Sequence, residues 1–235
     1  MTEPAKQQKI SKRNIVVILL TIFGIIALAI LGERFAPQPF SIPSASNEPT
    51  ILSGDSIFIW RYAYRDHMPA RGDMAVFTDP HTGDDFIKRV VGLPGDRIQV
   101  TRGVLIINGE ASRRERIADY HERDWDEYYN QVRNDVRYHY RETLPNGSVH
   151  EILGDLIAQP EDSVPQDNTS VFQVPDGRFF AIGDNRDNSN DSRLQLGYVP
   201  LANLIGRAGF CYFSSTKIPD GTFHIRWDRM FRSIH

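Results

Sequence analysis

Asp85-Phe86-Ile87-Lys88-Arg89-Val90-Val91-Gly92-Leu93-Pro94-Gly95-Asp96 decides the fold. Its first seven residues are too few and too β-prone for a helix, and Gly92 to Asp96 can only turn. The apolar neighbours Ile87, Val90 and Val91 predict a strand buried on much of its surface. The same grammar repeats outward in both directions. Upstream, Ser56–Tyr64 and Met74–Phe77 read as strands, separated by the turns Arg71-Gly72-Asp73, Asp79-Pro80 and Thr82-Gly83-Asp84. Downstream, Arg97–Val100 and Val104–Ile107 follow, with Asn108-Gly109 as a hairpin turn. Strand character returns at Arg178–Ile182, Tyr198–Val199, Ile205–Phe213 and Phe223–Trp227. Many short strands between turn signals predict a mostly β domain with an antiparallel sheet.

Between these strands the composition shifts. Ser112 to Arg141 is crowded with charge of both signs and with tyrosine, which reads as a solvated face rather than a polyanion site. Pro145-Asn146-Gly147-Ser148 reads as a hairpin tip joining Val136–Thr143 to Val149–Ile152, and Ala158 to Asn168 as loop. We therefore expect a β core of residues 35–102 and 176–235 with an inserted, variable subdomain at 103–175. The net charge of −3 argues against a nucleic-acid partner. The single cysteine, Cys211, excludes an intrachain disulfide and a Cys-rich metal site, and its apolar surroundings predict an inert thiol.

Ile15 to Gly32 is apolar and uncharged, long enough as a helix for a hydrocarbon core about 30 Å thick. Lys6, Lys9, Lys12 and Arg13 precede it against the lone acid Glu3. By the positive-inside rule, residues 1–14 are expected in the cytoplasm, 15–34 in the membrane, and all that follows outside. A cleavable leader is the competing reading, but the run exceeds the usual 7 to 15 residues of such a core and no A-x-A site follows closely. No second run of this length appears, so a single crossing is expected. Pro37 and Pro39 then make a short, stiff connector.

Three stretches carry chemistry. Pro43-Ser44-Ala45-Ser46-Asn47-Glu48-Pro49-Thr50 places two hydroxyls two residues apart with no periodicity of its own. Serines among prolines ordinarily cap and turn; one becomes a nucleophile only if a neighbour takes its proton. Lys88 is the candidate base, because burial disfavours the ammonium and lowers its pKa. An exposed strand lysine, or a salt-bridge partner of Asp85, is the plainer alternative. Strand alternation sends Arg89 to the opposite face. The third stretch, Gly183-Asp184-Asn185-Arg186-Asp187-Asn188-Ser189-Asn190-Asp191-Ser192-Arg193, is dense in short polar side chains that bond backbone, so it predicts a rigid loop. Asp184, Asp187 and Asp191 alternate with Arg186 and Arg193, and Ser189 is able to donate to a neutral amine. A calcium loop is the rival there, but the EF-hand glycine and terminal glutamate are missing and two arginines sit inside. The seven histidines lie outside these stretches, which disfavours a Ser-His-Asp triad. No cofactor and no metal are expected.

Together, in this order and behind an apolar N-terminal run, the stretches resemble the bacterial type I signal peptidases. Residues 43–50 resemble that family's P-S-x-S-M-x-P-T box. Arg71-Gly72-Asp73-Met74-Ala75-Val76-Phe77 resembles its R-G-D-hydrophobic box, and Phe86 to Asp96 its lysine box. Gly183 to Arg193 matches G-D-N-R-D-N-S-x-D-S-R nearly residue for residue. The likeness covers roughly 35–109 and 178–213. It implies an antiparallel β-sheet catalytic domain of the signal-peptidase type behind one transmembrane helix, at the outer side of the bacterial inner membrane. It implies that Ser46 is the nucleophile, Lys88 the general base, and the Ser44 hydroxyl with the Ser46 amide the oxyanion donors. Ser189 would orient the Lys88 amine, Asp191 would pair with Arg193, and Asp184 would help support the dyad. The substrates implied are preproteins bearing signal peptides, extended as a strand beside Ile42, Pro43 and Ser44 and beside Asp85 to Lys88, Ile87 included. Membrane lipid is the other expected partner, and a monomer the expected state. Two departures stand beside the nucleophile: Asn47 where the family usually has methionine, and Ala45 for the commoner glycine. Two alternatives stay open, a maturation peptidase dedicated to pilus or conjugation proteins and an inactive anchored binding domain.

Overall fold

The computed structural model describes residues 12–35, 37–121, 125–126, 131–132, 136–154, 164–217 and 222–235. It divides into two compact units, Met1–Ala36 and Pro37–His235. The first contains helix α1 (Lys12–Phe35), 24 residues long, a length of about 36 Å. Its apolar side chains from Ile15 to Leu28 are exposed almost throughout. Among the described residues no helix is long and apolar enough to cross a membrane; the apolar run of the sequence continues past Leu28 to Gly32.

The second unit holds the strands. In chain order they are β1 (Gln38–Ser41), β2 (Asp55–Trp60), β3 (Met74–Thr78), β4 (Asp85–Gly92), β5 (Arg97–Thr101) and β6 (Val104–Ile107). Then come β7 (Glu110–Ala111), β8 (Arg113–His121), β9 (Trp125–Asp126), β10 (Gln131–Val132), β11 (Val136–Thr143) and β12 (Val149–Gly154). The last are β13 (Phe172–Gln173), β14 (Arg178–Ile182), β15 (Val199–Pro200), β16 (Leu204–Lys217) and β17 (Phe223–Ile225). The largest sheet runs β1-β2-β16-β3-β4-β14-β15, with β17 beside β16, and its paired strands are antiparallel. β1 begins three residues past the end of α1, so the connector is as short as Pro37 and Pro39 suggest.

Strand alternation sorts β3 between two cores. Met74 and Val76 join Ile42, Ile51, Ile57, Ile59 and Cys211 on one face. Ala75 and Phe77 join Val90, Phe179, Ala181 and Val199 on the other. Each large apolar side chain buried this way contributes about 1.5–3 kcal/mol over leaving it in water. Cys211 lies in the first core, 1% exposed. The turn expected at Gly92–Asp96 forms around Gly95, whose φ of +88° suits glycine. Asn108 and Gly109 both take positive φ between β6 and β7, as a type I′ hairpin requires.

Two expectations shift. The strand read over Ser56–Tyr64 ends at Trp60. Beyond it Ala63 N donates to Trp60 O and Arg65 N to Tyr62 O, turning the chain, so Tyr62 and Tyr64 are β-formers outside a strand. The boundaries at 103 and 175 are crossed by hydrogen bonding: β5 pairs with β6 and β13 in one four-stranded sheet, β13-β5-β6-β7. A third core of Val91, Ile98, Val100, Leu105, Ile107, Leu144, Val174, Phe180 and Ile182 unites these strands with β4 and β14. The three-stranded sheet β12-β11-β8 shares no strand with either of these sheets and is closed at Pro145–Ser148 as expected. Its face carries Arg114 over Tyr140 and Arg116 over Tyr138, at 4.3 and 4.1 Å from the rings. Most of the loop expected at Ala158 to Asn168 lies outside the described residues, as do residues 1–11; Pro165–Asp167 forms one 3-10 turn.

Candidate active site

The stretch Pro43–Thr50, which carries Ser44 and Ser46, leaves β1 as extended chain and closes into a turn, with Glu48 N donating to Ala45 O and Ile51 N to Asn47 O. Beside it runs the first half of β4. β14 pairs with β4 only from Arg89 onward, so Asp85 to Lys88 form an open edge. A cleft of about 370 Å³ lies between Ile42–Ser46 and Asp85–Lys88, with Phe40, Asn188 and Asn190 completing its wall. All four residues expected to flank an extended substrate, Ile42, Pro43, Asp85 and Ile87, line it.

Lys88 Nζ lies 2.5 Å from Ser46 Oγ, and Ser44 Oγ lies 3.2 Å from Ser46 Oγ. Lys88 is 5% exposed and Ser46 8%. Asp85 makes no bond to the amine; its carboxylate accepts from Thr78 Oγ1 at the sheet edge. Burial pulls the Lys88 pKa down to about 8 against the carboxylates of Asp191 and Asp184, which favour the ammonium, and Arg193 adds to the lowering. The amine also lies 5.7 Å from the centre of the Phe86 ring.

The rigid loop expected after β14 is built from buried charge pairs. Asp184 accepts both arms of Arg89 at 2.7 Å, and both residues are fully buried. Arg89 thus lies away from Lys88, as alternation requires, and also donates to Gly72 O. Asp191 accepts from Arg193 Nε and Nη2 at 2.9 and 2.8 Å and from Gly183 N at 3.0 Å. Burial alone would raise both carboxyls, but the guanidinium beside each holds it below the ordinary aspartate value. Gly183 is required by close approach, because a Cβ there would overlap Ser46 O and Ser189 Oγ. Asn185 fastens the loop to the turn that carries Ser46, donating from its backbone to Ser46 O and from its side chain to Ala45 O. Ser189 Oγ is buried close by and makes no hydrogen bond to Lys88; it faces the Asp191 carboxylate and helps hold its pKa down.

Sequence reasoning missed two supports. Asn47 is fully buried and donates through Nδ2 to Ile87 O at 2.7 Å. The inserted hairpin grips the loop from beneath. Leu153 on β12 exchanges backbone bonds with Asp184 and Arg186, and Glu142 on β11 accepts a bidentate pair from Arg186. His150 on β12 lies 3.2 Å from the same carboxylate. The alternation of β11 and β12 places Glu142 and His150 on one face, a signal present in the sequence. What they meet there is set by tertiary packing.

A serine hydroxyl lies against a buried amine at the open edge of an antiparallel sheet, an arrangement able to serve a serine peptidase. The family described as signal peptidase, peptidase S26 matches residues 15–213. Signal peptidase I of Rickettsia prowazekii (strain Madrid E) is 36% identical over 83% of this chain and 78% of that protein. Signal peptidase I of Rickettsia rickettsii (strain Sheila Smith) is 36% identical over 90% of each. A crystal structure of a signal peptidase I from Enterococcus faecalis V583 covers 59% of this chain and 95% of its own, at 24% identity and a TM-score of 0.33. The chain belongs to the signal peptidase family and is a serine endopeptidase of that kind.

Proposed function

We propose that the chain is a membrane-anchored endopeptidase that removes signal peptides from exported preproteins, with Ser46 as nucleophile and Lys88 as general base. The observation that carries this is the 2.5 Å approach of the Lys88 amine to the Ser46 hydroxyl, both buried at the floor of a cleft. With its pKa near 8, Lys88 is roughly one-tenth neutral at pH 7, enough to accept the hydroxyl proton as Ser46 attacks. Ser44 Oγ and the Ser46 amide then face the developing oxyanion. The protonated amine returns its proton to the leaving amine of the cut peptide, and an acyl-enzyme on Ser46 awaits water.

The substrate adds as a strand at the open edge of β4, exchanging main-chain bonds with Asp85 and with Ile87 N, since Ile87 O is taken by Asn47, and with Ile42 and Pro43 on its other side. Ser189, Asp184 and the Asp191–Arg193 pair hold the loop that shapes the amine's surroundings. α1 is the anchor, with the cytoplasmic end before it and the catalytic unit beyond it on the outer side, as the flanking positive charge supports.

The test uses the full chain in detergent with a preprotein carrying an A-x-A cleavage site. Ser46→Ala and Lys88→Ala are each expected to lower kcat/KM by at least about a thousandfold at unchanged fold, as losses within a dyad do. Cleavage near the wild-type rate by either variant would refute the assignment.

A further inference from the structure

We propose that Asn47 is a positioning residue, its side-chain amide fixing the gap between nucleophile and base by tying the turn that carries Ser46 to the strand that carries Lys88. The inference rests on the dyad reading above and deepens it.

Ser46 and Lys88 are joined by their side chains, and their chain neighbours Asn47 and Ile87 are joined by Asn47 Nδ2 to Ile87 O at 2.7 Å. The two bonds are adjacent rungs between the same two segments. Val90 N and O bond on the β3 side, to Asp73 O and Gly72 N. Alternation therefore turns the backbone groups of Ile87 to the opposite, open edge of β4. Asn47 reaches that edge as an added strand residue would, and takes its acceptor at Ile87. On its other side the turn is held by Asn185, through Ser46 O and Ala45 O. The nucleophile is thus clamped between two amides, one from the loop and one reaching the lysine strand.

The rest of the Asn47 side chain marks it as placed for function. It is 0% exposed, and its Oδ1 is buried with no hydrogen-bond partner. A buried acceptor left unpaired is destabilising, so an apolar side chain of similar size at this position is expected to fold as well or better. What an apolar side chain cannot do is hold Ile87 O. Without that rung the turn rides more loosely over Lys88, water reaches the amine, and its pKa moves back toward that of a free lysine. The charged groups facing the amine, Asp191, Asp184 and Arg193, all lie on the loop after β14, which the substitution leaves in place.

The experiment compares wild type, Asn47→Leu and Asn47→Met in the full-length protein, with Ser46→Ala as control, following thermal unfolding and the pH profile of preprotein cleavage. The expected result is a Tm equal to or above wild type, a kcat at pH 7 lowered tenfold or more at nearly constant KM, and an ascending limb moved up by about one pH unit. A wild-type kcat and profile in both variants overturns the proposal, as does a loss of kcat that only follows a loss of Tm. Methionine is flexible enough to fill the site if leucine does not fit. The control separates the two readings: activity surviving Ser46→Ala removes the dyad, whereas an inactive Ser46→Ala beside fully active Asn47 variants removes only the role of Asn47.

Discussion

The base role proposed for Lys88 depends on its being dry. Its pKa of about 8 predicts that kcat/KM climbs with pH and levels off above that value, since the reactive form is the neutral amine. A stopped cleavage assay from pH 6 to 10 checks this; a limb centred near 10.5, the value of a free lysine, would mean that water reaches the amine. Ser44→Ala is expected to retain the dyad and lose one oxyanion donor, a fall of about 10²–10³ in kcat. Much of this was legible beforehand. Two hydroxyls, a lysine in an apolar strand and an aspartate-arginine loop carry their chemistry in residue type alone. Asn47 did not, because its worth lies in one carbonyl, Ile87 O, forty residues away, and no local spacing encodes that contact.

The loop from Gly183 to Arg193 and the hairpin of β11 and β12 act as a pair. Glu142 is held far below the ordinary glutamate pKa: burial pushes it up, and the Arg186 guanidinium more than reverses this. His150 is pushed below the ordinary histidine value by burial and by the nearby Arg89. Both groups bind fewer protons folded than unfolded, so both lend stability at neutral pH that is lost on acidification. The histidine share is expected to fade below about pH 6.5, that of Glu142 below about pH 4.3, and that of Asp184 and Asp191 below about pH 3.9. Urea unfolding at pH 8, 5.5 and 3.5 should show the two steps, and His150→Gln should flatten the first. Breaking the Glu142–Arg186 pair by Glu142→Ala should cost about 3–5 kcal/mol, because it strands a buried guanidinium. That the insertion rises from hairpins was legible in Asn108-Gly109 and Pro145–Ser148. Its grip on the Gly183–Arg193 loop was not, since backbone bonding between Leu153 and Asp184 leaves no mark in side-chain pattern.

At the scale of the molecule, the antiparallel sheet followed from period-2 apolar strands and turn residues. The border drawn at 103 and 175 failed to anticipate β5 pairing with β6 and β13, because a change in surface composition does not show which strands share a core. Removing residues 1–36 is expected to leave the Pro37–His235 unit with an unchanged Tm and a soluble, active enzyme, slowed mainly on preproteins held in vesicles. Equal rates on vesicle-bound and detergent-dispersed preproteins for both forms would count against the anchor. The connector between α1 and β1 then sets a leash. From Phe35 to Ser46 is eleven residues, a contour of at most about 40 Å even if pulled straight. If α1 lies in the bilayer as proposed, Ser46 stays within that reach of the lipid, where the local concentration of membrane-tethered chains is raised and that of freely diffusing ones is not. Folded proteins already released from the membrane would escape cutting by address, whatever their sequence.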